Sequence, residues 1–176
     1  MAKMKIVKLQ RDLQGCSFDC GNPSINALVK ESFYPTLLQH LYAFEVLVDD
    51  VTVGYYMIGF RRLSLAHCPD EVSDYTSNMS DLCYSLHLKY IAVDKNFQHC
   101  GIGRRTLQLL LRKVVIMCND WPIRLITLHA LKEKIQWYQS IGFSVFCEED
   151  LNNEQPDVEM YMDLLLNKEA VMEYCS

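Results

Sequence analysis

No run of apolar residues in this chain of 176 residues approaches the ~20 that a membrane-spanning helix needs. The opening MAKMKIVKLQ carries charge with no apolar segment behind it, so no secretory signal is expected. Internal repeats, low-complexity tracts and linker-like stretches are missing as well, which predicts one domain over residues 1–176. Eight cysteines occur, but none in C-x-x-C spacing and none grouped with histidine at zinc-ligand spacing. Neither a disulfide framework nor a metal is expected, and the reducing cytoplasm is the expected compartment. The formal net charge of -5 gives little support to a nucleic-acid partner, whose phosphates reward clustered lysine and arginine.

What is present is a hydrophobic half, enough for a substantial core, and an uneven distribution of charge. Five basic residues and no acid lie between Lys95 and Met117, whereas seven acids and no base lie between Glu148 and Asp163. That asymmetry points to a local anion site. KIVKLQ alternates like a strand. GNPSINALVKESFYPTLLQH reads as a helix with Asn22 as N-cap and Pro23 at the first position, to be kinked or ended by Pro35. LYAFEVLVDD and TVGYYMIGF read as a hairpin about Asp49 and Asp50, and residues 66–81 as a surface loop. LCYSLHLKYIAVD is a long strand, and Leu107, Leu110, Leu111, Val114, Val115 and Cys118 form a helical stripe. IRLITLHA (strand), KEKIQWYQSIG (helix stopped by Gly142), FSVFCEED and DVEMYMDLLL (strands) complete the predicted order β, α, β, β, β, α, β, α, β, β.

The strand-to-helix stretch VDKNFQHCGIGRRTLQLLL carries the chemistry. Two glycines at the start of a helix let bare backbone N–H groups approach an anion, and the helix N-terminus adds partial positive charge. Two motifs that use this device do not fit: the dinucleotide fingerprint needs a third glycine where Thr106 stands, and the P-loop needs a Gly-Lys-Ser/Thr ending. A plain glycine turn is the competing reading. Gln98 three residues before Gly101, the adjacent Arg104 and Arg105, and the acid-free flank favour a diphosphate.

QHCGIG is similar to the Q/R-x-x-G-x-G/A signature of the GNAT superfamily of acetyl-CoA-dependent N-acetyltransferases, with YIAVD before it and WYQSIGF after it in that family's order. The resemblance implies an α/β (α+β) fold: a mixed, mostly antiparallel sheet of six to seven strands with a central splay, flanked by helices. It implies acetyl-CoA as cosubstrate, a primary amine as acceptor and direct attack in a ternary complex. Ile91, Ala92 and Val93 would pair with the pantetheine arm like an added strand. Gln98, His99, Cys100, Gly101, Ile102, Gly103 and Arg104 would hold the pyrophosphate. Tyr138 stands where many members place the tyrosine that protonates or stabilises the departing thiolate; the alternative is an aromatic core residue.

The base is more open. His87 falls where the histone-acetylating branch carries a glutamate, eleven residues ahead of the glutamine, and His129 ends another strand; ordered water is the alternative. Cys100 has no partner base for a covalent role.

FDCGNPSINALVKESF, GYYMIGF and LHAL also resemble a narrower branch, the toxins of toxin-antitoxin modules that acetylate the amino group of aminoacyl-tRNA. That alternative implies an antitoxin partner and tRNA. Against it, HLKYIAV stands where the branch carries Leu-Gly-Arg-Leu-Ala-Val, and the overall charge is acidic. The acid-rich end suits a cationic acceptor or is an ordinary solvated turn. A non-catalytic acetyl-CoA-binding regulatory module is a third reading, and a homodimer through the final strands or exposed aromatics stays open.

Overall fold

The computed structural model describes residues 3–64, 68–73 and 82–174. Seven strands form one mixed, mostly antiparallel sheet: β1 (Met4–Lys8), β2 (Tyr42–Val48), β3 (Val51–Ser64), β4 (Leu82–Val93), β5 (Ile123–Leu131), β6 (Ser144–Val145) and β7 (Asp157–Asp163). Their order is β1-β2-β3-β4-β5-β7-β6, with antiparallel pairing of β1 with β2, β2 with β3, and β7 with both β5 and β6. The helices are α1 (Pro23–Lys30), α2 (Phe33–Leu37), α3 (Asp70–Ser73), α4 (Ile102–Met117), α5 (Ile135–Gln139) and α6 (Leu164–Tyr174). Among the described residues no helix is long and apolar enough to cross a membrane.

The chain divides into two compact units. One contains residues 1–59 and 88–107, the other residues 60–87 and 108–176, so β3, β4 and α4 each contribute to both. In the first unit Leu9, Leu13, Val29, Ala43, Tyr55, Met57, Tyr90 and Ala92 form the core, with Phe18 and Ile25 packed against it. In the second, Leu63, Val72, Cys83, Leu125 and Tyr161 cluster beneath Cys68 and Phe146.

The local signals read from the sequence have identifiable causes here. Asn22 caps α1, its side chain accepting from the Ser24 and Ile25 N–H groups at 3.0 and 3.2 Å, and Pro23 opens the helix where an N–H is not needed. Asp49 and Asp50 both adopt left-handed backbone (φ 47° and 63°), the pattern of a two-residue hairpin whose twist matches its strands, and they join Val48 to Val51. In the expected α4 stripe Leu107, Leu110, Leu111, Val114 and Val115 are buried; Cys118, just past the end of the helix, is partly covered.

Five expectations are corrected. The first helix breaks at Glu31 and Ser32, not at Pro35, because the Ser32 hydroxyl bonds back to Leu28 O (2.6 Å) and to the Tyr90 hydroxyl (2.6 Å); Pro35 sits in the first turn of α2, where its missing N–H costs nothing. β3 runs past Phe60 to Ser64. The strand expected at FSVFCEED shrinks to Ser144–Val145 and gives way to a 3-10 turn over Glu148–Asn152, whose three leading acids disfavour a strand and suit a helical N-terminus. DVEMYMDLLL is not one strand: β7 stops at Asp163, whose Oδ1 accepts from Leu165 N (2.9 Å) while Oδ2 takes the Arg124 guanidinium (3.0 and 3.2 Å), so the aspartate caps α6. The loop expected at 66–81 contains α3; residues 65–67 and 74–81 lie outside the described residues.

Gly54 on β3 faces the end of β4 so closely that a Cβ there would stand 2.5 Å from Ala92 O. A side chain cannot be accommodated without separating the strands. Gly54→Ala is expected to destabilise the protein by roughly 1–3 kcal/mol, the usual cost of overpacking a rigid site. Urea unfolding of the variant beside wild type measures it; equal midpoints would show that the strands yield freely.

Candidate active site

The stretch expected to bind the donor lies wholly in the first unit. Strand β4 ends at Val93, and the Asp94 carboxylate then caps a 3-10 turn over Lys95–Phe97, accepting from Asn96 N at 3.0 Å. His99 (φ 60°) and Gly101 (φ 77°) are both left-handed, and α4 begins at Ile102. Left-handed residues in a turn can aim successive N–H groups toward one concavity, as in the backbone nests that bind anions. A histidine held in this region is strained relative to glycine by about 1–2 kcal/mol, so the surrounding chain must impose it. Around Gly101 no heavy atom lies within 4 Å of an added Cβ, and at Gly103 the nearest is Val93 Cγ2 at 3.7 Å. Packing within the chain therefore does not demand glycine at 103; the missing side chain leaves space in front of the helix. The first turn of α4 has no acid, and Arg104 and Arg105 there are exposed.

What holds this loop is a clamp that sequence reasoning missed. The Gln98 amide donates to Val93 O (3.0 Å) and to Cys20 O (2.9 Å), tying the loop both to the strand it leaves and to a segment 78 residues earlier. Asp19 completes the attachment, accepting from Lys95 Nζ, Gly21 N and Asn26 Nδ2, each at 2.8 Å. Backbone bonds run alongside: Lys95 N donates to Asp19 O (2.8 Å) and Asp94 N to Val53 O (2.9 Å). Asn26 Oδ1 in turn accepts from Cys20 N (2.9 Å). FDCGN is thus a brace for the loop. Its signal in the sequence was its likeness to a family segment, which says nothing of its partners. Lys95 first, then the Gly21 N–H and the Asn26 amide, hold the Asp19 carboxyl well below the usual carboxylate range.

Ile91, Ala92 and Val93 form the last turn of the pleat of β4, with Ala92 buried and its neighbours half-buried. Among the described residues no group of three or more His, Cys, Asp or Glu side chains is placed to hold a metal ion.

The expected proton-transfer residues lie in the second unit. His87 Nδ1 is 3.0 Å from Thr127 Oγ1, and its ring meets the His129 ring edge to face, with centroids 5.7 Å apart. The two histidines proposed as alternative bases are therefore neighbours. Behind them, Ser85 Oγ lies 3.3 Å from Thr127 Oγ1, both residues fully buried. In front, His129 Nδ1 is 3.2 Å from Asp157 Oδ1, and Glu159, paired across from His129 in the sheet, is ion-paired with Arg61. Tyr138 is almost fully buried, stacked edge to face with Trp137 (4.7 Å) and Phe143 (5.7 Å). Burial pushes its phenol pKa up, so the proton stays on oxygen at neutral pH. Among the described residues, no group hydrogen-bonds that hydroxyl.

A family model described as an acetyltransferase (GNAT) domain matches residues 44–145. The chain belongs to the GNAT acetyltransferases. The matched span contains the donor loop, His87, Thr127 and Tyr138, and leaves the FDCGN brace outside it. No curated protein matches the sequence. Solved structures resemble it over nearly the whole length of both chains. A bacterial toxin is 19% identical with a TM-score of 0.78, covering 98% of this chain and 97% of the other. AtaT complexed with acetyl-methionyl-tRNAfMet is 19% identical with a TM-score of 0.76 (96% and 99%). A tyrosine-to-phenylalanine mutant of KacT is 18% identical with a TM-score of 0.75 (97% and 98%). At these identities the likeness is one of fold.

The Asp19 brace has a pH signature. Its carboxyl pKa is lower folded than unfolded, so its stabilisation is complete above the unfolded value near 3.9 and is lost as pH falls toward the lower folded value. The gap in unfolding midpoint between wild type and Asp19→Asn is expected to be constant from pH 5 to 7 and to narrow below pH 4. Urea titrations at stepped pH measure it, and a gap independent of pH would mean that the charge on Asp19 contributes nothing.

Proposed function

We propose that the whole chain acts as one acetyltransferase domain that moves the acetyl group of acetyl-CoA to a primary amine by direct attack in a ternary complex. The observation that carries this reading is the braced nest at His99–Gly103, whose backbone polarity and space suit a diphosphate and which opens a helix with no acid in its first turn. In this reading the N–H groups of His99 to Arg104 hold the pyrophosphate. Gln98 acts by positioning them through Val93 and Cys20. Ile91 to Val93 offer backbone groups to the pantetheine amides, as an added strand would. His87 takes the proton from the attacking ammonium, and Tyr138, neutral and without a protein partner among the described residues, gives one to the departing thiolate.

For the acceptor, the α-amino group of an aminoacyl-tRNA is the second reading. It is supported by the full-length likeness to toxins, one of them solved with an acetylated aminoacyl-tRNA, and by the FDCGN segment that braces the donor loop. In that case an antitoxin is the expected partner, as in the neighbour solved as AtaT bound to the C-terminus of AtaR. The net charge of -5 weighs toward a small or peptidic amine.

Acetyl-CoA consumption across a panel of polyamine, lysine, N-terminal peptide amine and charged tRNA tests the assignment. Turnover with one class is expected, and the absence of both turnover and coenzyme A binding would overturn the enzyme reading. Tyr138→Phe is expected to lower kcat by about 10²-fold while leaving acetyl-CoA affinity within about twofold. His87→Gln is expected to lower kcat/KM by about 10²-fold while leaving acetyl-CoA affinity within about twofold, measured by steady-state kinetics beside coenzyme A binding.

A further inference from the structure

We propose that the outer edge of β1 is a docking site for an extended acidic peptide, which adds to the sheet as a further strand. β1 stands first in the sheet order, and among the described residues it pairs only with β2. The register says which of its backbone groups face outward. Asp49 N donates to Lys3 O (3.1 Å) and Leu9 N to Ala43 O (2.9 Å), so residues 3 and 9 turn their backbone groups toward the β2 side. Alternate residues of an antiparallel ladder do so, which puts Lys5 and Val7 with them and leaves the N–H and C=O groups of Met4, Ile6 and Lys8 pointing away from β2. Among the described residues no strand takes up those groups. The opposite edge of the sheet, β6, is only two residues long and offers no comparable ladder.

Charge decides the occupant. Lys3, Lys5, Lys8 and Arg11 are the charged side chains of residues 1–11, with no acid among them, in a chain whose net charge is -5. Lys5 and Lys8 are exposed on the strand. Lysines along an open edge discourage a second copy of the same strand, because like charges would face each other, and they favour a strand of opposite sign. The acids at the two ends of β1 are engaged within the chain: Asp49 Oδ1 accepts from Lys3 N (2.9 Å), and Glu45 is held by Arg11. Where β1 ends, a cavity of about 370 Å³ is lined by Val7, Lys8, Gln10, Arg11 and Glu45. Arg11 is fixed there, its Nε and Nη2 each 3.1 Å from the Glu45 carboxylate, while 62% of its side chain stays exposed. An added strand takes its affinity from backbone bonds and its selectivity from pockets beside the edge. A carboxylate of the docked strand meets Arg11 in this one. The site stands apart from the donor loop and from the acetyl-transfer reading.

The test titrates the full-length protein with a fluorescent peptide of alternating glutamate and valine. Beside it run the same peptide with N-methylated backbone amides, a lysine–valine peptide and a single-stranded oligouridine RNA, and amide hydrogen exchange is followed with and without peptide. Saturable binding of the unmethylated glutamate–valine peptide alone is expected. The amides of Ile6 and Lys8, fast to exchange in the free protein, should become protected, while Val7, already bonded to β2, should change little. Lys5→Glu combined with Lys8→Glu should weaken binding by about tenfold, with Val7 protection showing that the strand is intact. Ile6→Pro removes one outward N–H and no bond to β2, and it should weaken binding likewise; should that variant lose the strand, the N-methylated peptide reads the same bond from the other side. No saturable binding, equal binding of the N-methylated or lysine peptide, or protection that avoids Ile6 and Lys8 overturns the proposal. Binding of the RNA alone, lost on the lysine-to-glutamate changes, would assign the lysines to a nucleic acid and overturn it too.

Discussion

Both protons of the Gln98 side-chain amide are used inside the chain, and the donor loop takes its form from that. One goes to the carbonyl that ends β4 and the other to the carbonyl of Cys20. A nest of N–H groups converging on an anion is electrostatically uncomfortable when empty, because like dipole ends face one another. It also contains a histidine in left-handed backbone. Such a loop keeps its shape only when other bonds over-determine it. Gln98, the Asp94 cap and the Asp19–Lys95 pair supply them, and the first and last of these join the loop to a segment that does not itself contact the anion in the proposed role.

The second unit applies the same logic to a different chemistry. There, in the proposed roles of His87 and Tyr138, the quantity to be controlled is the place of a proton. The His87 ring is held in orientation by the buried Thr127 hydroxyl, 3.0 Å from its Nδ1. Tyr138 is handled by burial: aromatic neighbours cover the ring and raise the cost of losing the phenolic proton. In the proposed roles one unit organises backbone donors and the other side-chain protons.

Much of this was legible in the sequence where the cause is local. The N-cap at Asn22, the hairpin at Asp49 and Asp50, the stripe on α4 and the glycine pair at 101 and 103 each follow from residues within a few positions of one another. Reading failed where a distant partner decides. DLLL has the composition of a strand end, yet Asp163 starts a helix because Arg124, 39 residues away, holds its carboxylate in place. The first helix breaks at Ser32 because Tyr90, 58 residues on, takes its hydroxyl. Gln98 was recognised by its place in a signature, while its two bonds, one of them to Cys20, were invisible.

By itself the sequence determined the family and marked the stretch proposed to meet the donor, because strand-to-helix turns, glycine freedom and helix dipoles are properties of short segments. Only the tertiary structure decided which groups hold that stretch in shape and that His87 lies beside Thr127 and His129. Those outcomes depend on contacts such as His87–Thr127 and Gln98–Cys20, between residues 40 and 78 positions apart, and such contacts are found only once the segments that carry them lie side by side.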